Sequence, residues 1–236
     1  MSAAMIPSIS AKFATGDKEG TRGKVHTAIL TTMLIAIPAA VGMAVLAKPV
    51  VSFLFPGQTS LDMAANLLRA LSVTVVFYSL STLTNAVLQG IGKVNIPVIN
   101  AFAALVIQTV VLIPCLWFTD LNLYSLAIAT VVYSLLMCVF NGIAVRKSLD
   151  YHQKILKVFI IPFIASIIMG VAAYGVYTGV YALVKSNVVA LLIAVAVALV
   201  IYGVLVLKMR VLERDDIYAM PKGTKLAKIL ERVHLI

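Results

Sequence analysis

Charge is scarce in this chain. Only 12% of its 236 residues are charged, against about 25% in a typical water-soluble domain. The acidic residues number nine: Asp17, Glu19, Asp62, Asp120, Asp150, Glu213, Asp215, Asp216 and Glu231. None falls in the centre of an apolar run, which argues against a proton relay or sodium site built on a buried carboxylate. A sodium site of carbonyls and hydroxyls alone stays open. His26, His152 and His234 lie at the ends of apolar runs or outside them. Cys115 and Cys138 sit inside runs without metal-ligand spacing and read as small buried hydrophobes. No metal and no cofactor is therefore expected. No Ser, His and Asp within the runs can assemble a triad. The one compact titratable set, Asp150-Tyr151-His152, reads as a solvated loop, so the chain is not read as an enzyme. Residues 1–25 lack the apolar core of a cleavable signal peptide.

What remains is largely apolar: 62% of the residues. Crossing the hydrocarbon core takes ~20 apolar residues. Runs at about 26–47, 63–91, 96–118, 121–144, 156–184 and 187–207 satisfy that, which predicts an all-α, polytopic transmembrane bundle of six spanning helices. The organisation expected is residues 1–25 as the end of a preceding helix plus a cytoplasmic loop, 26–211 as the bundle, and 212–236 as a basic cytoplasmic tail. The net charge of +10 would suit nucleic acid, but its placement does not. Lys48 and Lys185 lie in the turns on one side and Arg69 within a span; every other Lys and Arg lies on the opposite side. The positive-inside rule then sets a multi-pass cell-membrane protein with both its N-terminal segment and C-terminal tail in the cytoplasm. The basic groups meet anionic membrane lipids, and no nucleic acid partner is expected.

Within the runs, a few polar and small residues stand out. Pro38 interrupts the first span and frees a helix carbonyl, which neighbours must satisfy. In the second span Tyr78, Ser81, Thr82, Asn85 and Gln89 recur at helical spacing and share one face. Two readings of that stripe are open: hydrogen bonding between helices, or the wall of a polar cavity forming a substrate pathway. Arg69 precedes Tyr78 by nine residues, which at ~100° per residue puts it on roughly the opposite face. It reads either as an interfacial anchor or as a phosphate-binding group on the pathway. Asn100 and Gln108 of the third span each need a partner inside the membrane, and the fourth span holds Tyr133, Ser134 and Asn141. Gly175-x-x-x-Gly179 predicts close helix packing within the bundle, with a dimer contact as the other reading. Ala190, Ala194 and Ala198 form a small face expected against the fifth span.

An ordered set of motifs carries a family resemblance. Ile6-Pro7-Ser8-Ile9-Ser10, Gly16-Asp17, a basic stretch and Pro38-Ala39-Ala40-Val41-Gly42 come first. Leu88-Gln89-Gly90-Ile91-Gly92-Lys93, Ile96-Pro97 and Met220-Pro221-Lys222-Gly223 follow. Together these resemble polysaccharide biosynthesis flippases, closest to the bacterial group named stage V sporulation protein B. Multidrug extruders and lipid II flippases share that superfamily. The resemblance implies a fourteen-helix, two-lobed transporter of which this chain is the C-terminal part, with an N-terminal lobe as missing partner. It implies translocation of a lipid-linked oligosaccharide or peptidoglycan precursor by alternating access. The other readings are an ion-coupled multidrug extruder and a non-transporting membrane fragment.

Overall fold

The computed structural model describes residues 2–57 and 60–209. They form α1 (Ser2–Ala14), α2 (Lys18–Val45), α3 (Ala47–Leu54), α4 (Leu61–Gly90), α5 (Asn95–Phe118), α6 (Leu123–Leu149), α7 (Ile161–Val184) and α8 (Asn187–Lys208). A single π turn, Leu156–Ile160, runs directly into α7. No strand occurs among the described residues. Among the described residues six helices are long and apolar enough to cross a membrane: α2, α4, α5, α6, α7 with its π turn, and α8. The chain is therefore an all-helical, multi-pass membrane protein. The expected basic tail at 212–236 and its Met220–Gly223 motif lie outside the described residues.

Local chemistry explains where the helices start. Helix α2 begins well ahead of its apolar run because Asp17 caps it. Asp17 Oδ1 accepts the Gly20 amide at 2.8 Å, and the Thr21 hydroxyl donates to the Asp17 carbonyl at 2.7 Å. The Gly20 amide bond, supported by Lys12, holds the Asp17 carboxyl below the usual carboxylate range. The preceding Gly16 has φ +75°, a left-handed conformation that glycine adopts without penalty.

The chain divides into two compact units. The first comprises residues 2–32 and 70–153: α1, the start of α2, most of α4, and α5 and α6. Here α1 seats against the end of α4. Ile9 is fully buried, and a Cβ on Gly90 would lie 3.2 Å from Ile9 Cγ2, so a small residue is needed there. Ser10 donates to the Gly90 carbonyl at 2.8 Å. The end of α6 is tied to α2. Arg22 Nε donates to the Leu149 carbonyl at 2.6 Å, and its Nη2 reaches Asp150 Oδ2 at 3.2 Å. That satisfies an orphan carbonyl of the last turn. Next to it, His26 Nδ1 and the Tyr151 hydroxyl are 3.0 Å apart. Burial pushes the Tyr151 phenol up to about 12.

The second unit comprises residues 33–69 and 154–209. Its core contains Leu46, Met169, Ala173, Leu191 and Ala198. Ala190, Ala194 and Ala198 are all buried, and α8 lies along α7. Gly170 admits α2 to close range: a Cβ there would stand 3.0 Å from Val41 Cγ1 and 3.2 Å from Val45 Cγ2. Gly175 and Gly179, by contrast, face open space, with nothing within 4 Å of an added Cβ. The close approach expected of that pair is made by Gly170 instead, because Gly170 lies on the face turned to α2. Pro38 has no amide for the Leu34 carbonyl four residues earlier. The Tyr202 hydroxyl of α8 supplies the missing donor at 2.9 Å. At the other end of α8, Asn187 donates to the Pro49 carbonyl and to Ser52 Oγ, both at 3.0 Å, and accepts from Tyr177 at 2.9 Å. One amide thereby joins α3, α7 and α8.

Candidate functional site

The polar stripe of α4 splits into two edges. Ser81 is 3% exposed and Asn85 half-buried, while Tyr78, Thr82 and Gln89 are exposed. The arithmetic of the helix explains the division. At ~100° per residue, Ser81 and Asn85 fall on one flank of the stripe and Thr82 and Gln89 on the other.

The buried flank meets Asn141 of α6, which is 0% exposed. Asn141 Nδ2 donates to Asn85 Oδ1 at 2.7 Å and to Ser81 Oγ at 3.4 Å. Its Oδ1 accepts from Asn100 Nδ2 of α5 at 2.9 Å. Three helices thus share one hydrogen-bonded junction, and a fully buried side-chain amide has partners for both its nitrogen and its oxygen. An amide left unpaired in an apolar interior costs several kcal/mol, so the network fixes the register of α4, α5 and α6. Further along, Tyr78 and Tyr133 set their rings 6.2 Å apart at 45°. The rings are tilted, with centroids inside the range of about 4.5–7 Å for interacting aromatic pairs.

Arg69 belongs to the second unit. Its Nη1 donates to Asn66 Oδ1 at 2.8 Å, one helical turn away, on an exposed surface. In the same unit Lys48 pairs with Asp62 at 2.7 Å. Every carboxylate among the described residues sits at a helix end or in a turn. No cluster of three His, Cys, Asp or Glu able to hold a metal occurs among the described residues. The site's chemistry is that of hydroxyls and amides, which bind sugars and phosphate oxygens without changing protonation. The residues missing from the sequence-derived set are Asn100 and Asn141. A lone asparagine in an apolar run was their signal, but which helix supplies the partner is a tertiary fact.

Fold and site together define a polytopic helical membrane protein with an uncharged polar face on one spanning helix. Residues 1–194 match the family described as lipid II flippase MurJ, and the chain belongs to that family. A curated relative, the lipid II flippase MurJ of Bacillus subtilis (strain 168), is 29% identical over 171 residues; these cover 71% of this chain and 31% of the relative. The chain thus spans about a third of that relative's length. No solved structure matches. The match supports the flippase superfamily to which the motif resemblance pointed.

Proposed function

We propose that this chain forms part of a flippase that carries a lipid-linked saccharide headgroup, of the peptidoglycan-precursor kind, across the membrane. One observation carries the reading. Tyr78, Thr82 and Gln89 are exposed along α4, a helix of 30 residues that is apolar enough to span. Hydrogen-bonding side chains facing hydrocarbon are costly and rare; they belong beside water, protein or substrate. Behind them the Ser81–Asn85–Asn141–Asn100 network holds the face in place. A sugar and pyrophosphate would exchange hydration for hydroxyl and amide partners while the lipid tail stays in the bilayer. Family membership supports this assignment, since the relative's name states the same activity for that protein.

The rest of the reading belongs to the same proposal. A second lobe completes the pathway within a fourteen-helix, two-lobed protein, and Arg69 offers charge to the phosphate. The α4–α5 and α6–α7 connections, with their lysines and arginines, face the cytoplasm.

The test uses the intact protein in vesicles and follows a fluorescent lipid-linked saccharide from one leaflet to the other. The Thr82→Leu/Gln89→Leu variant should retain helicity and a monodisperse elution profile yet translocate at least about tenfold more slowly, the factor set by ~1.4 kcal/mol. Wild-type rates in that variant would remove the polar row from the pathway.

A further inference from the structure

Between the start of α5 and the end of α6 lies a cavity of about 330 Å3. Lys93, Lys147, Ser148 and Asn100 supply its polar lining, and Ile96 and Phe140 are among its apolar walls. The volume is at the lower end of small-ligand sites, ~300–1,000 Å3. Lys93 Nζ donates to Ser148 Oγ at 2.9 Å, and the Ser148 hydroxyl donates to the Ala144 carbonyl at 2.7 Å. This chain of bonds holds the Lys93 ammonium at the mouth and leaves it two further protons to donate. Neither Lys93 nor Lys147 is ion-paired among the described residues. The N-cap residue of α5 is Val94, which offers no side-chain acceptor to the first turn. Positive charge therefore converges on this cavity from two side chains and a helix start, and no carboxylate is among its described lining residues.

The surroundings identify the kind of anion. All the lining residues come from α5, α6 and the turn before α5, and none from α4. Helix α5 is the least buried of the six spanning helices. Beyond Ile96 and Asn100, the same face of α5 continues through Ala103 to Ile107, an apolar track. A free phosphate has no use for that track, and a headgroup on the α4 row is reached from another helix. We propose that this cavity binds the phosphate of an anionic phospholipid between Lys93 and Lys147, with an acyl chain lying along the α5–α6 groove.

The experiment uses the intact protein, stripped of lipid in detergent, and native mass spectrometry. The probes are dioleoylphosphatidylglycerol, dioleoylphosphatidylcholine, inorganic phosphate and a lipid-linked saccharide pyrophosphate. Phosphatidylglycerol should be retained about thirtyfold more tightly than phosphatidylcholine, the factor expected from two lysines near an anionic headgroup. The preference should vanish in Lys93→Gln/Lys147→Gln and survive in Lys18→Gln/Lys24→Gln. Ala144→Leu, which fills the cavity and keeps both charges, should also abolish it. Equal retention by wild type and the Lys93→Gln/Lys147→Gln variant would overturn the proposal. So would an equal loss in Lys18→Gln/Lys24→Gln, which would show diffuse surface charge. Displacement of the phospholipid by inorganic phosphate at equal concentration would make the site a plain anion site. Displacement by the saccharide pyrophosphate at equal concentration would make it a substrate station. Either result sinks the phospholipid assignment.

Discussion

Replacing Tyr202 with phenylalanine tests the account of Pro38 most sharply. The ring and its packing stay, and only the hydroxyl that reaches the Leu34 carbonyl at 2.9 Å is lost. Interhelical hydrogen bonds inside membranes average ~0.6 kcal/mol and reach ~1.7. Here the deleted donor leaves a carbonyl that its own helix cannot satisfy, so the upper part of that range applies, about 1–1.7 kcal/mol. The assay is reversible unfolding of the purified protein in mixed micelles, repeated in a Pro38→Ala background. Alanine restores an amide, and that amide can bond Leu34 within α2. Tyr202→Phe should then cost far less, giving a coupling of about 1 kcal/mol between positions on different helices. If Tyr202→Phe destabilises equally with proline and with alanine at position 38, the hydroxyl is not standing in for the missing amide, and the reasoning fails.

Other expectations are quickly stated. Asn85→Ala and Asn141→Ala should each destabilise the protein, and a double-mutant cycle in the same assay should return a coupling of ~0.6–1.7 kcal/mol; zero coupling would dissolve the three-helix junction. Gly170→Leu should lower stability by about 1–3 kcal/mol through collision with Val41 and Val45, whereas Gly175→Leu should be close to neutral in thermal denaturation. The lowered pKa of Asp17 fixes a sign for pH. Its cap is intact above the ordinary aspartate value of about 3.9 and fades as pH falls through the lower folded-state value. Amide exchange at Gly20 should therefore accelerate at acid pH relative to neutral in wild type, after correction for intrinsic rates. It should be fast throughout in Asp17→Ala.

The spanning helices were legible because apolar length and sparse charge are properties of the chain itself. The start of α2 was not: Gly16-Asp17-Lys18-Glu19-Gly20 reads as a polar turn, and the Asp17 cap carries the helix back to Lys18. The need of Pro38 and Asn100 for outside partners was legible, since a missing amide or a buried side-chain amide creates a deficit that can be counted in one dimension. The partners were not, because Tyr202 and Asn141 are chosen by how helices lie beside each other. The glycines show the same limit. Gly175-x-x-x-Gly179 has the spacing of a packing motif, yet the close contact belongs to Gly170, and only the rotation of α7 decides between them. On α4 the period placed five polar residues on one face but could not say that Ser81 and Asn85 turn inward. The cavity at Lys93 arises from the register of α5 against α6 and has no signature of its own in the sequence.

The bond from Arg22 to the Leu149 carbonyl closes a span of 127 residues, and this sets a timetable for biogenesis. Ribosomes add roughly 5–20 residues per second, with N-terminal segments emerging first. Arg22 therefore waits on the order of 6–25 s for its acceptor. Until α6 has been translated, the start of α2 lacks this clasp.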